Sequence, residues 1–296
     1  MVPPQLVLGV EDLEEDFVSR ILVRAQDWRF REAVPTPPPR VLGLLFLEPS
    51  LRTRAGFAAA AARLGWSSIE VSETRSGPAS MPESWDDTLR TFAGFVDVVI
   101  MRDGRPVDRA TLSKLVQVPL VNGGDAGPDA QHPSQAIIDL FAIRRQGAID
   151  RLAIAVCGDL RMRAVRSLLR LLARTPPRRL IIATDPGLED SGPLPESLAA
   201  VVERRRLSEL DDVDVLYIAG MPHACLPEER RRELRVTARI LDRLPPSAVV
   251  LSPLPLLDEI DPEARRDPRV QMFEQSANGV AVRMALLEAL VSGTGT

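Results

Sequence analysis

The chain has 296 residues, of which 45% are apolar and 26% charged, with a formal net charge of −4. That length suits one large domain or two smaller ones with a full core. The slightly acidic balance excludes a global basic field for nucleic acid, and no run of about 18 apolar residues is present to cross a membrane. The opening MVPPQLVLGVEDLEEDF has neither the basic start nor the apolar core of a signal peptide, so a cytoplasmic protein is expected. Cys157 and Cys225 have neither a disulfide framework nor a metal-ligand spacing and read as buried free thiols. The arginine-rich stretches at 203–206 and 228–232 read as solvated helix surface. Lys114 is the single lysine among 37 basic residues, so any lysine-dependent chemistry has one candidate.

In chain order, residues 11–30 carry apolar positions at helical spacing, and the prolines at 37–39 end that segment. Strand-like and helix-like segments then alternate. Strands are predicted at 41–47, 67–72, 96–102 and 118–124, and helices at 52–64, 85–95, 110–116 and 132–147. The second half repeats the pattern, with strands at 151–159, 180–185, 214–220 and 248–255, a helix at 162–174 and a closing helix at 275–292. The strands are continuous apolar runs, as expected of parallel strands covered by helices on both faces. The prediction is an α/β protein of two lobes, each a parallel sheet flanked by helices, with the break near residues 147–151.

Ligands of open α/β sheets bind at the carboxyl ends of strands. Five polar clusters fall there. Ser50 to Arg54 opens a helix, where free backbone N–H groups and the dipole favour an anion and Arg52 and Arg54 add charged donors. Taken alone, the segment is equally an N-cap serine with two solvated arginines. Arg102 ends an apolar strand, as a salt-bridge residue or a ligand. His132 and Gln135 share the first turn of a helix, where a histidine can polarise a carbonyl or serve as a cap. Arg163 could hold a carboxylate or lie on the surface; its segment, GDLRMR, is not a dinucleotide fingerprint. Ser252-Pro253-Leu254-Pro255 is a rigid turn that either stops the loop or fixes the Leu254 carbonyl.

Together these segments resemble the aspartate/ornithine carbamoyltransferase family, most nearly its aspartate-specific catalytic chains. Phe46 to Gly65 follows the pattern FxEPSxRTRxxFxxAxxRLG. Residues 131–136 with Asp139-Leu140 resemble the QHPTQ–LLDL element, and Gly158-Asp159-Leu160 the GDL turn. Pro253-Leu254-Pro255 with Asp258-Glu259-Ile260 resembles HPLPR–DEI, and 275–287 the closing QxxNGxxxRxALL helix. The resemblance implies a carbamoyl-phosphate lobe at 1–147 with a returning helix at 275–296, and an acceptor lobe at 148–274. It implies a homotrimer with shared sites, and no metal or organic cofactor. By position, Ser50, Leu51 (through its backbone N–H), Arg52 and Thr53 would bind the phosphate. Thr53, Arg102 and His132 would polarise the carbamoyl oxygen, and Gln135 would accept from the carbamoyl amide. Arg163, Leu254 and Pro255 would form the acceptor side, for a small amine or amino-acid-like molecule.

Four departures stand out. Leu51 replaces a threonine. Met81 stands where the family carries a lysine that reaches a neighbour's site, with Arg75 a candidate to replace it. Gly220 and Pro222 stand where an arginine and a glutamine hold the aspartate side chain, and Leu256 replaces the last arginine of HPLPR. The expectation is therefore a divergent carbamoyltransferase acting on an amine other than aspartate, such as a diamino acid or a peptide-borne amine. The alternative is a non-catalytic homologue serving as a scaffold or binding subunit.

Overall fold

The computed structural model describes residues 3–30, 38–72, 84–105, 108–127, 129–189 and 194–292. The chain divides into two compact units, 1–137 with 278–296, and 138–277.

In the first unit, β1 (Leu6–Val7) precedes α1 (Glu15–Phe30), β2 (Val41–Phe46), α2 (Leu51–Arg63), β3 (Ser67–Val71), α3 (Trp85–Ala93), β4 (Val98–Arg102), α4 (Arg109–Leu115) and β5 (Leu120–Asn122). The strands lie in the order β1-β5-β4-β2-β3, all parallel. Central β4 has Val98, Val99 and Ile100 wholly buried, while edge strand β3 is exposed at Ser67 to Glu70. A parallel strand covered on both faces needs no alternation, which is why 41–46 and 98–101 read as unbroken apolar runs.

Helix α5 (Pro133–Arg144) passes from the first unit into the second. It is buried at nearly every position from Pro133 to Ile143, Gln135 being half-buried, and such a helix reads as apolar all round. The second unit holds β6 (Ala153–Cys157), α6 (Arg163–Leu172), β7 (Arg179–Ala183), α7 (Glu196–Ala199), β8 (Val202–Arg204), β9 (Val215–Ile218), α8 (Glu228–Glu233), α9 (Ala238–Leu241) and β10 (Val249–Leu251). Its parallel sheet has the order β10-β9-β6-β7-β8. Helix α10 (Met272–Val291) closes the chain and lies mostly in the first unit's segment 278–296.

The two α/β sheets match the predicted class, and each has one strand more than the sequence analysis found. Both additions, β1 and β8, are edge strands of two and three residues. The stretch 203–206 is correspondingly not helix surface: Glu203 and Arg204 belong to β8. Cys157 is buried, but Cys225 is only half-buried.

Candidate active site

Sheet topology points to the site in each unit. From β2 the chain first crosses to β3 on one side, then returns to β4 on the other. The crevice of such a sheet lies at the carboxyl ends of the two strands flanking the switch. Here those ends are Phe46 and Arg102, which are in register.

Ser50 is the N-cap of α2, yet its extended backbone is not matched by a side-chain cap bond, so its hydroxyl is not committed to the helix. Leu51 is 74% exposed and contributes only its backbone to the first turn. Thr53 is buried, and its Oγ1 lies 3.2 Å from His132 Nε2. Arg52 is half-buried, and burial lowers the pKa of its guanidinium with no compensating charge. It has no ion-pair partner among the described residues. Arg54, one residue beyond Thr53, turns the other way and pairs with Glu70 at 2.8 Å, so it is a surface ion pair and not a second anion donor.

Arg102 closes β4 with its side chain mostly buried. Its Nη1 donates to the Gly123 carbonyl at 3.1 Å, and its Nε faces Glu48 at 3.7 Å. His132 precedes α5 and is buried; its carbonyl accepts from Gln135 and Ala136 N–H at 3.0 and 3.1 Å, and its Nδ1 lies 3.4 Å from Ser134 Oγ. Gln135 follows on the same turn, half-buried.

What fixes His132 was not found by sequence reasoning. Asn122, at the end of β5, donates to the carbonyls of Leu8 and Gln131 at 2.8 and 3.3 Å and accepts from Gly124 N–H. Asp125 accepts from Gln131 N–H at 2.7 Å, and Gln131 spans Val10 N–H and Glu11. Buried polar groups are held where each finds a partner, so this frame sets the position of the residue that follows it. The signal available was an asparagine ending the apolar run VPLVN.

The second unit switches direction between β6 and β9, whose ends Cys157 and Ile218 are in register. Gly158 has φ +96°, and a Cβ there would overlap the Ala219 carbonyl oxygen. Only glycine fits both demands, which explains the first residue of the GDL turn. Asp159 is bound by Arg161 through Nε at 2.8 Å and Nη2 at 2.9 Å, which leaves Arg163, the first residue of α6, as the turn's other guanidinium. Leu254 lies in the left-handed region with φ 56°, and its N–H donates to Ser252 Oγ at 3.1 Å. The Leu254–Pro255 peptide is cis. Glu259, wholly buried, accepts from Met221 N–H and Leu257 N–H at 2.5 Å each. A Cβ on Gly220 would overlap the Pro255 carbonyl oxygen.

Buried Asp139 accepts from Tyr217 Oη at 2.7 Å and from Gln275 Nε2 at 2.6 Å, while Gln275 Oε1 accepts from Ser252 N–H at 2.8 Å. Burial first, and the Asp139 carboxylate second, push the Tyr217 hydroxyl well above its ordinary pKa, so it stays a donor. Met81 and Arg75 lie outside the described residues. Among the described residues no cluster of three or more metal-ligating side chains occurs, and no helix is long and apolar enough to cross a membrane.

A model of the aspartate/ornithine carbamoyltransferase carbamoyl-P binding domain matches residues 5–145, and one of the family's Asp/Orn binding domain matches 150–290. The chain belongs to the aspartate/ornithine carbamoyltransferase family. Within it, the aspartate carbamoyltransferase catalytic subunit of Methanospirillum hungatei is 35% identical over 292 residues, covering 95% of this chain and 97% of that one. The aspartate transcarbamoylase catalytic subunit of M. jannaschii has a TM-score of 0.83 at 28% identity, over 97% of this chain and 98% of that one. Aspartate transcarbamoylase of Trypanosoma cruzi, solved with carbamoyl aspartate and phosphate, has a TM-score of 0.86 at 26% identity, over 98% and 96%.

These relatives point to aspartate and overturn the expectation of an acceptor other than aspartate. The reading rested on the absence of an arginine at Gly220, a position that the Pro255 carbonyl closes to a side chain.

Proposed function

We propose that this chain transfers the carbamoyl group of carbamoyl phosphate to the amine of aspartate, giving N-carbamoyl aspartate and phosphate. The observation that carries the reading is Arg52, a half-buried cation without a partner among the described residues, one position from the buried Thr53–His132 pair. A helix N-terminus with free N–H groups and an uncommitted guanidinium is suited to a phosphate.

In this reading the phosphate is held by Ser50, the Leu51 N–H, Arg52 and Thr53. Thr53, Arg102 and His132 stabilise negative charge on the carbamoyl oxygen as the amine attacks, and Gln135 accepts from the carbamoyl amide. Donors held in place beforehand and aimed at developing charge commonly supply most of the rate enhancement in such a reaction. Arg163 takes the α-carboxylate, and Leu254 and Pro255 present backbone carbonyls to the amines. The donor lobe is 1–147 with 275–296, and the acceptor lobe 148–274. The active assembly is a homotrimer with shared sites, working in the cytoplasm. The family descriptions and the relatives' names support aspartate as the acceptor.

The test is formation of carbamoyl aspartate by the purified chain, measured colorimetrically, with Arg52→Gln as the blank. Product well above the blank with aspartate, and less with other amino acids, supports the proposal. Product no greater than the blank, or faster turnover of a different amine, refutes it.

A further inference from the structure

A cavity of about 760 Å³ lies beyond the carboxyl end of β7 in the second unit, a size typical of small-molecule sites. Its lining includes none of Arg163, Leu254 and Pro255. Seven arginines line it, against two carboxylates, Asp185 and Glu233. They come from two separate stretches of chain, 205–206 after β8 and 230–243 over α8 and α9.

Five of the seven are engaged. Arg230 pairs with Asp185 at 2.7 Å, Arg235 with Asp258 at 2.7 Å, Arg205 with Asp211 at 3.1 Å, and Arg232 with Glu228 at 3.0 Å. Arg243 donates to the Leu210 carbonyl at 3.3 Å. The guanidiniums of Arg206 and Arg239 have no hydrogen-bond or ion-pair partner among the described residues. Solvated arginines on a convex face diverge and cost little. Like charges gathered in a hollow repel one another, and the hollow focuses their field. An anion removes that repulsion.

Three chemical features narrow the anion. Guanidinium forks grip phosphate oxygens in pairs. The surplus of cations exceeds what a single carboxylate would balance. Buried Leu207, Leu234 and Ile240 also line it, beside Ser208, so the hollow also admits a body that is not phosphate. We propose that this hollow binds a small oligophosphate anion, with Arg206 and Arg239 as its principal grips.

The test is calorimetric titration of the full chain with inorganic triphosphate. It is done in the Arg52→Gln background, which silences the anion site at α2. Arg206 and Arg239 are both exposed, so replacing them leaves the fold intact, which circular dichroism checks. The expected result is one triphosphate bound per chain, weakening as salt is raised. Adding Arg206→Gln and Arg239→Gln should weaken it about tenfold or more. A second arm titrates ATP: tighter binding than triphosphate assigns the apolar lining to a nucleoside, and equal binding assigns the site to the phosphates alone. No binding in the Arg52→Gln chain, or binding unchanged by the two further substitutions, overturns the proposal.

Discussion

Replacing Arg52 by glutamine separates a binding role from a structural one, because the two give opposite signs. Arg52 is half-buried with its pKa lowered by desolvation, and no carboxylate among the described residues offsets that. A cation in that position does nothing for the free protein, so the variant should melt within a few degrees of wild type, or slightly higher. Binding should respond in the other direction. A guanidinium gripping phosphate makes two charge-assisted hydrogen bonds, each worth about 1.5–3 kcal/mol. Losing both costs about 3–6 kcal/mol, a factor of about 10² to 10⁴ in Kd. The assays are calorimetric titration with carbamoyl phosphate, with phosphate alone as a control, and thermal unfolding of the free chain. Arg54→Gln is the internal comparison: its exposed pair with Glu70 should contribute under about 1 kcal/mol to stability and leave Kd within a few-fold. A variant at position 52 that melts well below wild type and binds carbamoyl phosphate normally would refute the reasoning.

Gly158→Ala should lower stability by about 2–4 kcal/mol, the sum of a left-handed φ and an overlap with the Ala219 carbonyl, measured by urea unfolding. Gly220→Arg, which restores the family's residue, should not tighten aspartate: it should destabilise the chain and raise the aspartate KM, because Pro255 must move to admit any Cβ. Tyr217→Phe leaves Asp139 short of one donor in a buried site and should cost about 1–3 kcal/mol in thermal or chemical unfolding. Burial, aided by Glu259, pushes the Cys157 thiol up to about 12 from 9.0. The native chain therefore keeps a proton that the unfolded chain releases, so this contribution is intact below about pH 9 and is lost as pH rises toward about 12. Denaturation midpoints should fall above about pH 9, and less so in Cys157→Ala.

The fold was legible because its strands are buried on both faces, and an apolar run such as 41–46 or 98–101 has no other comfortable place. The strands that escaped notice, β1 and β8, are edge strands. β8 carries Glu203 and Arg204 to solvent, so its sequence shows no apolar run. Ser50, Arg52, Thr53, Arg102 and His132 stood out as candidates because they fall at strand ends, where ligands of such sheets bind, although each also had a structural reading such as a helix cap or a salt bridge. Arg52 and Arg54 could not be told apart in the sequence. They lie two positions apart on α2, which is more than half a helical turn, so one faces inward and the other meets Glu70. The frame of Asn122, Asp125 and Gln131 was illegible for a different reason: its partners, Leu8, Val10 and Glu11, lie more than a hundred residues away along the chain.

The acceptor side shows why a missing motif residue is weaker evidence than a present one. A retained polar residue in a buried turn needs a reason, since unpartnered it costs stability. An absent one has at least two explanations, a lost ligand or a backbone that no longer admits the side chain. At Gly220 the backbone leaves no room for the side chain. The Pro255 carbonyl sits where the Cβ would be, and Glu259 ties Met221 to Leu257, so the segments 219–221 and 254–257 are held together by a buried carboxylate. With that turn closed, a ligand for the second carboxylate of the proposed acceptor would have to reach in from another element. The same constraint explains Asp258. Arg235 pairs with it at 2.7 Å and the buried Arg231 also binds it, so one end of the turn is anchored by two guanidiniums.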